Sequence, residues 1–356
     1  MTAIPTRTRI DWVDYAKGIC IILVVMMHST LGVEKAAGAV SWVDPFIAWA
    51  RPFRMPDFFM ISGLFLAARI ARPWRAYLDT KVVHFAYFYV LWMSLQFLTK
   101  GYGIYQDGGA GRLARDYALA FIEPFGSLWF IYMLAVFFVV VKATRGLPPL
   151  LIFAAGALLE TSHIETGWML IDEFAARFVY FHVGYWMAPR IFALAEAVSR
   201  RGLTAVVAGL FIWGMANALL VNYGFSYMPG VSLAMGLAGA CAVVSMGVAL
   251  AKTHVAGAIR YCGENSIVIY LAFFLFMAMA RSLILRAGVL NDLGIVSLLV
   301  TAVGVGGPLL LFRAVRDTRL YWLFRRPRWT RLESGKPRIA ANSMPRRTPV
   351  ETFLGT

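Results

Sequence analysis

Long apolar runs constrain this chain more than any other feature of its sequence. A helix needs about 20 mostly apolar residues to cross a bilayer. Stretches that meet or approach this length lie at residues 12–33, 53–68, 80–99, 118–141, 148–163, 170–189, 203–222, 230–251, 262–285 and 294–314. The first run continues without a signal-cleavage pattern, so we expect it to be retained as a helix. The sequence predicts an all-α polytopic membrane protein with about ten transmembrane helices.

The composition excludes most other classes of protein. Of the 356 residues, 60% are hydrophobic and 15% are charged, whereas soluble domains have about 45–50% apolar and about 25% charged residues. The net charge of +15 comes from basic residues between the apolar runs and in the C-terminal tail. That distribution is typical of cytoplasmic loops, so nucleic acid is not an expected partner. Neither the three cysteines nor the histidines have the spacing of a metal site, and no metal is predicted.

The distribution of Lys and Arg also predicts the orientation. They are enriched roughly three to one in segments on the same side of the membrane as the N-terminus. Both termini are therefore predicted to be cytoplasmic. The chain divides into a transmembrane domain at residues 1–323 and a basic tail at residues 324–356, rich in Arg, Pro and Ser, which we expect to be disordered.

The first predicted helix carries ionisable residues at membrane depth, where they are costly. Asp14 and Lys17 are three residues apart and can pair as an interfacial anchor. His28 follows an unbroken apolar run. It fits a general base that takes a proton from a hydroxyl group, or a histidine that only bonds a neighbouring helix.

The second predicted helix places further charged residues near the first. Arg69 and Arg72 can project from one face, where they would bind phosphate or anchor the helix end. Asp57 is a candidate to orient His28, or a partner for Arg54. From Asp57 to Arg69 the helix would rise about 18 Å, a length comparable with the arm of coenzyme A.

Later helices contribute three candidate substrate-binding residues. Arg177 lies inside the sixth predicted span and either pairs with an acidic neighbour or binds an acceptor. The acidic neighbours are Glu165, Asp172 and Glu173. Asn265 and Ser266 open the ninth predicted helix, where such residues also commonly cap free amides.

Several motifs occur together and in order. Residues 14–29 follow the pattern D-x-x-K-G, an apolar run and H-S; residues 55–63 read M-P-x-F-F-x-x-S-G, and R-x-x-R follows at 69–72. The segments SLWF (127–130), RFVYFHVGY (177–185) and GENSIVIYL (263–271) complete the set. From about residue 9 to 315, the chain resembles the integral-membrane acyltransferase 3 family.

The resemblance implies an inner-membrane enzyme that transfers an acyl group, often acetyl, from cytoplasmic acyl-CoA to a hydroxyl of a glycan, lipid-linked saccharide or other envelope molecule. By position, His28 matches the family's catalytic histidine, and Arg69 and Arg72 match the arginine pair that handles the acyl donor. Three positions depart from the usual residues of the family: Asp57, the pair Ala272-Phe273, and Ser127. The departures indicate a divergent branch.

We therefore expect a membrane O-acyltransferase of the bacterial inner membrane with His28 as general base. Its expected partners are acyl-CoA as co-substrate, a saccharide or lipid-linked acceptor and the lipid bilayer, with no tightly bound cofactor. Two alternatives stay open at this point. One is a transporter or flippase of an envelope precursor, in which His28 would relay protons. The other is a non-enzymatic membrane partner that acts through its basic tail.

Overall fold

The computed structural model describes residues 10–253, 256–288 and 290–332. Across these residues the chain is helical and contains no strand, which confirms the predicted all-α fold class. The helices are α1 (Asp11–Ala37), α2 (Asp44–Gly63), α3 (Ala67–Ile70), α4 (Trp74–Leu78), α5 (His84–Leu119), α6 (Trp129–Ala143), α7 (Pro149–Thr161), α8 (Met169–Trp186), α9 (Ala188–Arg200), α10 (Leu203–Asn222), α11 (Val231–Thr253), α12 (Gly257–Glu264), α13 (Ser266–Ala287) and α14 (Leu293–Val315). A π-helical turn, Asp79–Val83, joins α4 to α5, and a 3₁₀ turn, Gly126–Leu128, precedes α6.

Seven helical stretches in the described part of the chain are long and apolar enough to cross a membrane. They are Asp11–Ala37, Trp74–Leu119, Gly126–Ala143, Leu203–Asn222, Val231–Thr253, Ser266–Ala287 and Leu293–Val315. The remaining predicted spans fall on α2 and α8, which carry several charged residues, and on α7, which has 13 residues. The chain is a multi-pass membrane protein; the count of about ten spans and the sidedness of the termini stay predictions.

Helix α1 lies at the centre of the bundle and packs against α2, α11, α12, α13 and α14. Helix α2 runs beside it and also packs against α8 and α11. Gly63 of α2 and Gly184 of α8 each lie against the main chain of the other helix, where a Cβ atom would overlap it. Small residues of this kind let membrane helices approach closely. We name the end of the bundle where α1 begins the inner end, and the opposite end the outer end.

The start of α2 differs from the prediction, and the difference shifts its side chains in depth. The sequence predicted a helix from residue 53, but α2 begins at Asp44 and contains Pro52 and Pro56. Prolines are tolerated inside membrane helices because neighbouring groups can satisfy the freed backbone atoms. Asp57 therefore lies 13 positions along α2, deeper in the bundle than predicted.

The segment after α14 packs against the inner end of the bundle. Arg326 is buried and its Nη1 and Nη2 atoms donate to the backbone oxygen of Asp79 (2.6 Å) and to its Oδ1 atom (2.7 Å). The Leu332 amide donates to the same carboxylate at 2.8 Å. The predicted tail begins at residue 324, so residues 324–332 of it form part of this contact. The rest, residues 333–356, lies outside the described part of the chain.

Candidate functional site

His28 lies in the outer half of α1 and is partly buried. Its ring contacts Phe273 of α13, with 5.4 Å between the ring centroids. Arg54 of α2 and Lys100 of α5 are within electrostatic range of the imidazole. Three helices thus bring an imidazole and two cations together, although these residues are far apart in the sequence.

Asp57 does not join this group. Its Oδ2 atom is hydrogen-bonded to Cys20 Sγ, and both side chains are buried. Cys20 is eight residues before His28 on α1, which is about 12 Å along the helix axis. Among the described residues, Asp57 makes no hydrogen bond to His28 or to Arg54, the two partners predicted for it. The shifted start of α2 explains why the predicted depth of Asp57 was wrong.

Arg54 is buried without a compensating hydrogen bond on two of its nitrogens. Its side chain is 8% exposed, and its Nε and Nη1 atoms have no hydrogen-bond partner in the described part of the chain. Arg177 and Arg51 are the charged neighbours that act on it most strongly, and both are cations. A buried guanidinium in such surroundings can bind an anion.

Arg177 has an acidic neighbour on its own helix. Its Nε atom lies 3.1 Å from Oε2 of Glu173, one turn earlier, and both side chains are partly buried. Of the three acidic candidates, Glu173 is therefore the partner. Asp172 instead accepts hydrogen bonds from Thr166. The pairing with Glu173 leaves Arg177 close enough to Arg54 to act on its charge.

Asn265 and Ser266 have different surroundings. The Asn265 amide donates to the backbone oxygen of Tyr261 at 2.9 Å, at the end of α12. Asn265, the N-cap residue of α13, makes no side-chain hydrogen bond to the first turn, so the capping interpretation is wrong for it. Ser266 lines a cavity, whereas Asn265 does not.

The cavity lies between α1, α2, α6 and α13 and has a volume of about 150 Å³. Its polar lining includes Lys17, Ser62, Ser266 and Tyr270. Tyr270 lies one turn before Phe273, the residue that contacts His28, and the two ring centroids are 6.2 Å apart. The cavity therefore extends from the inner half of the bundle toward the residues around His28.

A larger groove of about 440 Å³ lies between α9, α10 and α11. Its lining is mostly aliphatic, and Arg201 is its one charged residue. Neither His28 nor any of the predicted site residues borders it. We therefore place the candidate site at the smaller cavity.

At the inner end, the turn that carries Arg69 and Arg72 is held by a buried lysine. Lys142 is 2% exposed, and its Nζ atom donates to the backbone oxygens of Ile70 and Arg72, both at 2.7 Å. Arg145 also donates to the Ile70 oxygen, at 3.2 Å. These bonds fix the backbone while the Arg72 side chain stays exposed and that of Arg69 partly exposed.

Other cations complete this inner group. Lys81 of the π-helical turn lies within electrostatic range of Arg69, Arg72 and Lys17. Its Nζ atom is 4.2 Å from the centroid of the Phe138 ring. We refer to Lys17, Arg69, Arg72 and Lys81 as the inner cation group. Several cations in one place can bind a ligand with several negative charges.

Comparison with known families shows to which family the chain belongs. The profile of the acyltransferase 3 family, described as an acyltransferase domain, matches residues 10–313. The chain belongs to this family. The resemblance found from the sequence is thereby confirmed, and the match supports a membrane acyltransferase.

Among curated proteins, the chain is similar to the inner membrane protein YcfT of Escherichia coli (strain K12). The two are 26% identical over 214 residues, which is 53% of this chain and 59% of that protein. The chain thus spans about three fifths of its relative's length. The apolar helices and the family match show a multi-pass membrane protein, and the inner membrane as its location stays a prediction. No solved structure matches the chain.

Sequence reasoning missed three residues of this arrangement. Lys142 and Lys100 were counted only as charges at span ends, although both lie against aromatic rings inside the bundle. Gln96 was not considered, yet it is fully buried and its side-chain oxygen and nitrogen have no partner in the described chain. A lone amide in an apolar span was a signal that could have identified Gln96.

Proposed function

We propose that this chain is a membrane O-acyltransferase that moves an acyl group, with acetyl expected, from acyl-CoA to a hydroxyl of a glycan or other envelope molecule. The inner cation group binds the phosphates of the donor. His28 acts as general base on the acceptor. The acceptor is a saccharide or a lipid-linked saccharide of the bacterial envelope.

One observation carries the proposal: a cation group and a histidine lie at different depths along α1, with a cavity between them. Lys17 and His28 are eleven residues apart, about 16 Å along the helix. The pantetheine arm of coenzyme A is of comparable length. With its phosphates at the inner end, the thioester would lie near His28.

The reaction needs a neutral His28 imidazole, with the acceptor hydroxyl in contact with both the imidazole and the thioester of the donor. His28 takes the proton of the acceptor hydroxyl as its oxygen attacks the thioester carbonyl. The carbon–sulfur bond breaks, the new ester forms, and the thiolate takes the proton back from the His28 imidazolium to leave as CoA. An acyl-histidine intermediate is the alternative route, in which the imidazole itself first accepts the acyl group.

The first experiment measures release of CoA thiol by the purified full-length protein in lipid nanodiscs. Acetyl-CoA is the donor, and extracted host membranes supply the acceptor. We expect release that requires both His28 and the extract, and mass spectrometry then identifies the acylated molecule. If the protein neither releases CoA nor binds acetyl-CoA or longer acyl-CoAs, the transport alternative replaces this proposal.

A further inference from the structure

The outer half of the bundle contains a buried cation that the proposed chemistry does not use. Arg54 is 8% exposed, and its Nε and Nη1 atoms find no acceptor in the described part of the chain. These two nitrogens carry three of the five N–H donors of the guanidinium group. Leaving such donors unpaired away from water is costly, so a buried guanidinium normally has an anion or several carbonyl oxygens beside it.

The surroundings of Arg54 are cationic from several sides. Arg177 of α8 and Arg51 of α2 act on its charge. Lys100 of α5 lies, with Arg54, near His28. The Lys100 Nζ atom is 4.0 Å from the centroid of the Phe274 ring and, in the described chain, makes no ion pair. Positive charges therefore outnumber negative ones around His28.

The two acidic groups in this region are already bonded elsewhere. Glu173 pairs with Arg177 at 3.1 Å, and the Asp57 carboxylate is hydrogen-bonded to Cys20. Neither satisfies the Nε and Nη1 atoms of Arg54. The protein thus leaves a positive charge near His28 that its own described carboxylates do not neutralise.

A second helix presents unpaired polar atoms to the same region. Gln96 is fully buried, and neither its Oε1 nor its Nε2 atom has a partner in the described residues. It lies one turn before Lys100 on α5, and both side chains approach Gly126. Ser127, the next residue, also has a buried hydroxyl for which the described chain offers no partner. Hydroxyl and amide groups of this kind are the ones that orient a polyol.

We propose that the acceptor carries an anionic oxygen group, a phosphate or a carboxylate, and that Arg54 binds this group beside His28. The inference rests on the proposed acyltransfer and names the class of its acceptor: an anionic saccharide or a saccharide attached to a phosphate. Arg54 holds the anion, and Lys100 adds positive charge near the imidazole. Gln96 is placed to hold a hydroxyl.

The buried guanidinium of Arg54 would also make the site selective for an anionic saccharide over a neutral one. A neutral saccharide would leave Arg54 buried and unpaired in the complex, whereas an anionic one supplies the missing acceptor atoms. Sites that hold a buried polar group discriminate strongly against ligands that lack its partner. Arg54 therefore acts as a specificity-determining residue for the acceptor.

The test measures binding directly, without the transfer reaction. Three soluble probes differ only at carbon 6 of the sugar: methyl glucoside 6-phosphate, methyl glucuronide and methyl glucoside. Calorimetric titration of the full-length protein in nanodiscs gives each dissociation constant. We expect at least one anionic probe to bind about tenfold more tightly than the neutral probe, equivalent to about 1.4 kcal/mol. The preferred anion distinguishes phosphate from carboxylate.

Matched variants connect this preference to Arg54. Arg54→Gln should remove it, and Arg54→Lys should keep part of it because the charge remains. Arg200→Gln is the control, since Arg200 is an exposed arginine of α9 whose Nη2 atom lies 2.9 Å from Oε1 of Glu196, and it is not among the charges that act on Arg54. Gel filtration of each variant separates misfolding from loss of binding.

Equal binding of the three probes, no measurable binding of either anion, or an unchanged preference in Arg54→Gln would overturn the proposal. The proposed function fails separately. If Arg54-dependent anion binding is found but no CoA is released with host extract, acyltransfer is wrong and the anion site stays. If CoA release requires His28 but the protein binds anionic and neutral probes equally, only the acceptor assignment is wrong.

Discussion

The two ends of the candidate site hold their cations in opposite ways. At the inner end, Arg72 is exposed and Arg69 is partly exposed, while a buried lysine holds the backbone that carries them. Near His28, the guanidinium of Arg54 is itself buried, and two of its nitrogens have no partner among the residues that the structure describes. One end fixes a backbone and leaves the charges accessible, and the other buries the charge.

This difference suits two kinds of ligand. Exposed cations bind a highly charged, water-soluble molecule that must enter and leave quickly, as a donor does, and each contact contributes little because water screens it. A buried guanidinium contributes more per contact and is more selective, because it loses hydration that only a suitable ligand replaces. The comparison predicts large effects near His28 and smaller ones at the inner end.

The largest effect is expected from His28→Ala. Loss of a general base lowers a rate by about 10²–10⁴-fold. We expect the rate of CoA release to decrease by this factor, while the affinity for acetyl-CoA stays unchanged. The matched control is His163→Asn, because His163 lies in an exposed loop with a φ of 45°, which Asn adopts readily. Full activity in His28→Ala would contradict the assigned role.

The second effect concerns the inner cation group. The double variant Arg69→Gln with Arg72→Gln should raise the KM for acetyl-CoA about tenfold, equivalent to about 1.4 kcal/mol, and change kcat little. Arg75→Gln is the control, since Arg75 lies three residues further along and donates to the Leu332 backbone oxygen instead. Steady-state kinetics with varied donor would give the result, and an unchanged donor KM would refute phosphate binding here.

A smaller change in the KM for acetyl-CoA is expected from Lys142→Met. This substitution removes the hydrogen-bond donor to the backbone oxygens of Ile70 and Arg72 but keeps the length of the side chain. The turn should loosen, so that the donor KM rises a few-fold and thermal stability falls. Arg145→Gln removes one longer, exposed bond to the same turn and should change KM less. If the two variants have equal effects on KM, Lys142 does not position the arginine pair.

Much of the fold followed from the sequence because apolar length alone determines most spans. The runs at 203–222 and 294–314 correspond closely to α10 and α14. Helix α2 was placed too late because Pro52 and its charged residues resemble a loop, whereas in the bundle α2 packs against α8 and α11 and its Arg54 and Asp57 are buried. In a membrane protein, neighbouring helices can satisfy the backbone groups that a proline frees. A proline that a sequence pattern predicts to end a helix is therefore tolerated inside one.

The candidate site was predictable only where motifs carried it. Sequence motifs, and the free energy needed to place ionisable side chains in a membrane, identified His28, Arg69 and Arg72. The contacts of Arg54 and Lys142 depend on helices that are distant in sequence, so no spacing rule reveals them. Asp57 shows the same limit: its partner Cys20 is 37 residues away, and both predicted partners were wrong.

Asp57→Asn gives the smallest predicted effect on catalysis and separates the two roles of this carboxyl. Because Asp57 bonds to Cys20 and not to His28, the substitution should lower thermal stability and leave kcat for acetyl transfer within about twofold, equivalent to about 0.4 kcal/mol. Cys20→Ser is the matched partner variant, since a hydroxyl can replace the thiol in the same hydrogen bond. Thermal melting and initial rates of CoA release measure both quantities. A drop in kcat as large as that of His28→Ala would mean that Asp57 reaches His28 during the reaction, and the outer part of the site would then extend inward to the level of Cys20.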